Sequence, residues 1–486
     1  MNLGAPQGRP VASFRDPGGR LLTIEGRILR LVRPAARDDL ERFLASAAAQ
    51  KLVAGGRLVS SRQLEPAQWD GLCPAELQEL WSSFSGGLML EHERIPFPSY
   101  PYEWPPEMLH AAGRLTLEVA DSLLADGFGL KDATPYNVLF RGPEPVFVDV
   151  LSVERRQPGN ATWLPHAQFV RTFLLPLLAS RNLGVPLEQV FLSRREGLKP
   201  EEVYRMCGPI RRLLPPFFSL ATMPTWLGTK VSPDDTALYQ PKLLRDPEQA
   251  AYVLRTLLKR MRRALDGLEP RPGRKSAWSD YMASSNYSPE HFAAKRTFVE
   301  TAIQEFRPRK VLDVGANTGF FSVMAAQNGA SVVAVDYDPV VAGEIWRGAH
   351  ARKLDILPLV VNVACPSPPT GWRNRECPAF LERAQDHFDA VFLLALVHHL
   401  LVTERIPLAE IVDLAATLTR DLALVEYIDP QDSMFRRLVR GREELHRDLT
   451  REVFEAAWRR RFQLVRCQSL PGATRTLYLL RATGRV

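Results

Sequence analysis

Cysteine is scarce in this chain. There are five in 486 residues (Cys73, Cys207, Cys365, Cys377 and Cys467), odd in number and without Cys-x-x-Cys spacing. That excludes a disulfide framework and a structural zinc site, and it points to a reducing cytoplasm. Long apolar runs are also missing. Stretches such as Phe173–Ala179 fall well short of the roughly 18 residues that span a bilayer. Met1–Pro10 has no apolar core of the kind that marks a signal peptide. No repeat of fixed period occurs, and the 39 prolines are dispersed, which excludes a solenoid and a low-complexity tract. One-sided charge is lacking too: 62 basic against 55 acidic residues leave a net charge of +7. The densest basic run, Arg459-Arg460-Arg461, lies between Trp458 and Phe462 and reads as the solvated end of a helix. No nucleic-acid surface is expected from it.

What is present is an ordinary globular composition, 45% hydrophobic and 24% charged, at a length that predicts two or three domains. Residues 1–265 read as an α+β region. A hairpin is expected where Val11–Phe14 and Leu21–Ile24 flank Pro17-Gly18-Gly19, with Arg27–Val32 as a third strand. Helical spacing covers 37–54 and 106–126, and 166–265 is mainly helical. A Pro- and aromatic-rich connection runs from Ile95 to Trp104. The turn-rich, polar stretch 266–290 is the expected linker. It carries Trp278, Tyr281 and Tyr287, which are either a lid over a ligand or packing residues.

From 291 to 486 the pattern alternates. Strands are expected at 310–314, 331–336, 357–363, 388–396 and 421–428, separated by helices, and a hairpin at 462–467 and 475–481. Such alternation predicts a parallel sheet covered on both faces. The first strand, Lys310–Val314, runs directly into Gly315-Ala316-Asn317-Thr318-Gly319 and then a helix from about Phe320. A glycine loop at that point brings backbone N–H groups close to a ligand. A dinucleotide fingerprint would need glycine where Asn317 and Phe320 stand, and a P-loop would need a terminal Gly-Lys-Ser/Thr, so neither fits.

The loop resembles motif I of the class I methyltransferases, an acid followed by Gly-x-Gly-x-Gly. Asp313, Gly315 and Gly319 match, and Asn317 replaces the middle glycine, a mild departure because Asn tolerates positive φ. Asp336 ends the second strand 23 residues after Asp313, where a carboxylate accepts from both ribose hydroxyls. Asn362 follows the third strand on the adenine side. The fourth strand leads into His398-His399. The resemblance implies S-adenosyl-L-methionine as cofactor and a seven-stranded Rossmann-like sheet. His398, His399 and Glu426, all at the carboxyl edge of the sheet, are candidates for a general base if the acceptor must lose a proton. The bland alternative for the histidines is packing, helix capping or lining of the cofactor pocket.

In the first half, Asp132 and Asn137 have the Asp-x-x-x-x-Asn spacing of a kinase catalytic loop, and Asp149 follows 12 residues after Asn137. Such a set is a candidate nucleotide and metal site, with Asn and the second Asp on Mg²⁺. The departures count against phosphoryl transfer. No Gly-x-Gly-x-x-Gly precedes it, Lys51 is the sole lysine before residue 130, and Val150-Leu151 follow Asp149. A degenerate kinase-like binding or scaffold domain and a simple turn built on Asp132 and Asn137 both stay open.

Leu130–Glu154, Ile95–Trp104 and Ile356–Trp372 together resemble a bacterial family of large class I methyltransferases related to a rhizobial nodulation protein. That likeness covers most of the chain and implies a family-specific N-terminal region, but no acceptor. The expected function is therefore a cytoplasmic S-adenosylmethionine-dependent methyltransferase acting on a small-molecule or carbohydrate-type acceptor, without nucleic-acid, membrane or metal partners. The alternative is a kinase-like nucleotide-binding protein with an accessory methyltransferase domain.

Overall fold

The computed structural model describes residues 15–65, 68, 84–228, 243–273, 276, 288–472 and 474–484. Val11–Phe14, Cys73, Trp278, Tyr281 and Tyr287 lie outside them. Alternating apolar residues form β1 (Gly19–Ile24) and β2 (Arg27–Val32), paired antiparallel from Gly19–Val32 to Ile24–Arg27. The turn of this hairpin is Glu25-Gly26, both at positive φ (49° and 78°), while the turn expected at Pro17-Gly18-Gly19 leads back to Val11–Phe14, which lies outside the described residues. Two left-handed residues give the turn a twist that matches the strands. The single helix expected over 37–54 is two, α1 (Pro34–Ala45) and α2 (Ala47–Ala54). Ser46 parts them because its extended backbone lets its Oγ accept from the Ala49 N–H, capping α2. With β3 (Ser61–Leu64) and β4 (Leu88–His92), the strands make one antiparallel sheet ordered β1-β2-β4-β3.

Below that sheet, the amphipathic helix α3 (Pro106–Leu123) is followed by β5 (Phe128–Leu130), β6 (Val138–Arg141), β7 (Glu144–Phe147) and β8 (Val153–Arg155). These strands form two short ladders, β5 with β8 and β6 with β7. A mainly helical stretch ends in α4 (Pro247–Asp266), which packs on α3.

The second half begins with α5 (Pro289–Phe306), then β9 (Lys310–Val314), α6 (Phe320–Gln327), β10 (Ser331–Asp336), α7 (Pro339–Arg352) and β11 (Ile356–Val360). It continues with β12 (Phe388–Leu393), α8 (Val397–Val402), α9 (Leu408–Leu418), β13 (Thr419–Ile428), α10 (Ser433–Val439), α11 (Arg451–Trp458), β14 (Phe462–Ser469) and β15 (Arg475–Ala482). One seven-stranded sheet results, ordered β11-β10-β9-β12-β13-β15-β14. The first five strands are parallel, and β15 runs antiparallel between β13 and β14. This is an α/β Rossmann-like architecture. Two strands are shorter than their apolar runs. β11 stops at Val360 because the Asn362 side chain turns the chain by accepting from the Ala364 N–H, 3.0 Å. β12 stops at Leu393 because the chain bends through Ala395 at φ 55°.

The two halves are packed against each other, and one cluster of buried apolar residues runs from Val32 through α3 to the sheet. Phe97 sits on Phe380 and Phe388, ring centroids 6.0 and 5.7 Å away. The fully buried Glu103 carboxylate accepts from Arg383 and from the Ser367 hydroxyl. Arg347 of α7 binds Glu107 of α3, and the Trp346 indole donates to the Pro143 carbonyl at 3.0 Å. Gly343 leaves room for this contact, because a Cβ there would push the Glu107 carboxylate aside. Breaking a buried ion pair such as Glu103–Arg383 costs about 3–5 kcal/mol. No helix among the described residues is long and apolar enough to cross a membrane.

Candidate functional site

The carboxyl ends of the parallel strands gather the C-terminal candidates. Between β9 and α6, Gly315, Asn317 and Gly319 all take left-handed backbone, φ 72°, 50° and 77°. Asn317 is the residue type best suited to that conformation after glycine, and its Oδ1 accepts from the Thr318 N–H at 2.8 Å. Gly319 is also confined: a Cβ would come within 2.9 Å of Ile345 on α7. The Gly315 and Ala316 N–H groups donate to the Val335 carbonyl at 2.9 and 3.1 Å, so the loop is tied to the end of β10.

Asp336 closes the same junction. One carboxylate oxygen accepts from the Asn317 N–H at 2.9 Å and the other from the Asp338 N–H at 3.0 Å. Burial lifts its pKa to about 6, opposed by these backbone donors. Each oxygen keeps a second lone pair for a further donor. Asp313, inside β9, is fully buried; it accepts from the Ser322 hydroxyl at 2.6 Å and is likewise raised to about 6 by burial. It therefore pins α6 to β9 and sets the loop between them. Asn362 is exposed just beyond β11, next to the junction where the Val361 N–H meets the Asp336 carbonyl at 2.9 Å.

His398 and His399 open α8 directly after β12. Their rings lie 4.2 Å apart by centroid. His398 is 3% exposed and its Nδ1 has no partner. Burial, His399, Arg475 and Lys295 hold it far below the usual histidine range, so it is neutral. Burial also lowers His399. Glu426 of β13 is completely buried. It accepts from Lys295 Nζ at 2.6 Å and faces Arg475 at 3.7 Å, and Arg475 in turn binds Asp432 at 2.9 Å. Lys295, Arg475 and Asp432 were not singled out from the sequence. A signal existed for Lys295, which falls in the buried stripe of α5 with Phe298, Val299 and Ala302.

The N-terminal candidates also converge, but differently. Asn137 ends a short 3₁₀ turn, and its carbonyl accepts from the Val148 N–H at 2.8 Å, next to Asp149. Burial and the nearby Asp149 charge raise Asp132. Asp149 accepts from Arg30 of β2 at 2.8 Å, and Arg30 also donates to His92, whose other ring nitrogen meets Ser61 at 2.7 Å. Asn137 is 8% exposed with Nδ2 unpartnered. Among the described residues no group of three or more His, Cys, Asp or Glu is placed to hold a metal.

The residues at the C-terminal edge fit S-adenosylmethionine. Side chains at Gly315 and Gly319 would press on Leu396 and Ile345 and would be strained in the left-handed backbone, so glycine keeps the loop in this path, and the buried Asp336 carboxylate is oriented by backbone donors with acceptor capacity left for a ribose diol. Comparison with known proteins agrees. A family model described as a methyltransferase domain matches residues 287–482. Nodulation protein NoeA of Rhizobium meliloti (strain 1021) is 31% identical over 475 residues, 97% of this chain and 95% of that protein. Among solved structures, the N-methyltransferase NodS of Bradyrhizobium japonicum WM9 with S-adenosyl-L-homocysteine aligns at 13% identity and TM-score 0.31, over 42% of this chain and 93% of that one. The bifunctional kinase-methyltransferase WbdD aligns at 16% identity and TM-score 0.28, over 42% of each chain.

Proposed function

The chain belongs to the family of nodulation protein NoeA and is an S-adenosylmethionine-dependent methyltransferase, and from that premise we propose that it methylates a small molecule held over the carboxyl ends of β12 and β13. The observation that carries this reading is the buried Asp336 carboxylate locked to the glycine loop, facing the His398–His399 edge across one strand gap. The bound cofactor supplies a methyl group on a sulfonium, ready for in-line displacement. Gly315, Asn317 and Gly319 shape the loop that receives it, Asp336 takes the ribose hydroxyls, and Asn362 lies on the adenine side. Asp313 acts through Ser322 as a positioning residue.

His399 is our assignment for proton acceptance when the acceptor is an O–H or N–H group, since burial alone lowers it and leaves it neutral. His398, 3% exposed and held far below the usual histidine range by burial and by the Lys295 and Arg475 charges, holds a proton poorly, and we assign it to packing against His399. Glu426, the other base candidate, is engaged by Lys295 and Arg475, so we assign it to charge balance beneath the site. Residues 291–486 are then the catalytic unit, 266–290 its connection, and 1–265 a binding or scaffold unit. We assign the protein to the cytoplasm on the odd, scattered cysteine set of its sequence. Calorimetry with S-adenosylhomocysteine tests the reading: wild type binds and Asp336→Ala binds far more weakly. Folded wild-type protein that binds neither S-adenosylhomocysteine nor S-adenosylmethionine would overturn it.

A kinase-like reading of residues 1–265 draws on the convergence of Asp132, Asn137 and Asp149. The residues do not fit a divalent cation in this arrangement, because the Arg30 guanidinium holds the Asp149 carboxylate. We therefore assign this region to binding or scaffolding without phosphoryl transfer. Thermal shift with ATP and Mg²⁺ is the test. No stabilisation is expected, and a stabilisation abolished by Asp149→Ala would restore the kinase reading.

A further inference from the structure

We propose that the methyl acceptor is an amphiphilic anion, with an apolar body seated in a cavity of about 440 Å³ beyond β12 and β13 and a carboxylate- or phosphate-type group at its mouth. This rests on the methyl-transfer reading above and narrows its acceptor. The cavity is of a size that small-molecule sites use.

Its walls are apolar: Leu401 and Val402 at the end of α8, Leu438 and Val439 at the end of α10, and Leu449 before α11. None of the cofactor-site candidates lines this cavity, and α8 is the element that joins it to the catalytic edge. α8 has six residues and spans about 9 Å. Its first turn carries His398 and His399, and its last residues form the cavity wall. The opposite wall comes from the segment after β13, and in open α/β sheets ligands bind outside the carboxyl ends of the strands.

Two properties set the chemistry. Leu445 is 74% exposed and Val453 48% exposed at the cavity, apolar surface that a bare polyol would not cover with profit and an acyl or aromatic body would. Arg405 and Arg442 also line it, both exposed, and neither side chain makes an ion pair or hydrogen bond with a described residue. Among the described residues the one lining carboxylate is Asp448, and burial lowers His446 toward its neutral form. The described lining is thus net positive, and guanidinium forks match a carboxylate or phosphate bidentately.

Titration of the full-length protein with octanoate, octyl phosphate and octan-1-ol tests this. At least one anion should saturate, and Arg405→Ala combined with Arg442→Ala should weaken it about tenfold or more, the scale of one charged hydrogen bond. Leu445→Glu should weaken it as well, and octan-1-ol should bind less tightly and be indifferent to the arginine changes. A saturating anion should also block labelling of cell-extract components by radiolabelled S-adenosylmethionine. Absence of saturable anion binding, binding indifferent to both variants, equal binding of the alcohol, or undiminished labelling would each overturn the proposal. S-adenosylhomocysteine affinity, measured on the same preparations, should be unchanged in the variants. If wild type does not bind it, the methyl-transfer reading fails, and the anion titration still reports separately on the cavity.

Discussion

Asp336 ends one short apolar strand and Asp149 follows another, and each was a ligand candidate from sequence alone. Their surroundings separate them. Asp336 is held by the backbone N–H groups of Asn317 and Asp338, dipoles that orient a carboxylate and leave its charge uncompensated. Asp149 is held by the Arg30 guanidinium, which supplies the positive charge a ligand or cation would otherwise bring. An acid at a strand end is thus a binding group only when the fold provides no cation of its own. Glu426 repeats the lesson, since Lys295 and Arg475 occupy it.

The contrast has consequences that measurement can break. The largest is at Glu426. Glu426→Gln removes the carboxylate 2.6 Å from a buried Lys295 and should cost about 3–5 kcal/mol of stability in urea unfolding. A loss below about 1 kcal/mol would mean that the cations are compensated elsewhere. Next, Asp336→Ala should weaken S-adenosylhomocysteine by roughly a hundredfold, the scale of two charged hydrogen bonds, while Asp149→Ala leaves it unchanged; equal effects at the two acids would erase the distinction.

pH should give a smaller effect. With its pKa raised to about 6, Asp336 is protonated as pH falls through that value, so cofactor affinity should drop on the acid side by at most about tenfold per pH unit. Stability moves the other way. A raised carboxylate pKa means the unfolded chain ionises first, so the contribution of Asp313 and Asp336 is full below about pH 4 and is lost as pH rises through about 6. An Asp336→Asn protein with an unchanged affinity profile would assign the acid limb to another group. The smallest effect on the cofactor site is expected for Arg30→Ala, which should leave cofactor affinity within error while lowering stability by about 1–3 kcal/mol. A change in cofactor affinity would show that the N-terminal cleft communicates with the methyl-transfer site.

Much of the second half was legible in the sequence because its signals are local. β9, the glycine loop and α6 adjoin each other in the chain, and the left-handed backbone at Asn317 follows from residue type. The errors were local too: apolar runs continue past Val360 and Leu393, where an Asn362 side-chain turn and a left-handed Ala395 end the strands. The buried charges were poorly legible. Lys295 and Glu426 are 131 residues apart, and Arg30 and Asp149 are 119 apart. Composition and spacing carry no record of such pairings.

The sequence by itself determined the methyl-donor half of this protein: an acid, a glycine loop with one asparagine, a second acid 23 residues on, and the strand-helix rhythm that places them at one sheet edge. Periodicity and backbone preference are short-range properties, so they survive in one dimension. Only the tertiary structure decided which of the acids stay available, that Ile95–Trp104 anchors the first half to the sheet through Phe97 and Glu103, and that a cavity opens between α8 and α10. Those outcomes depend on charges and apolar surfaces brought together across a hundred residues or more, and burial, which fixes their energies, exists only after the chain has folded.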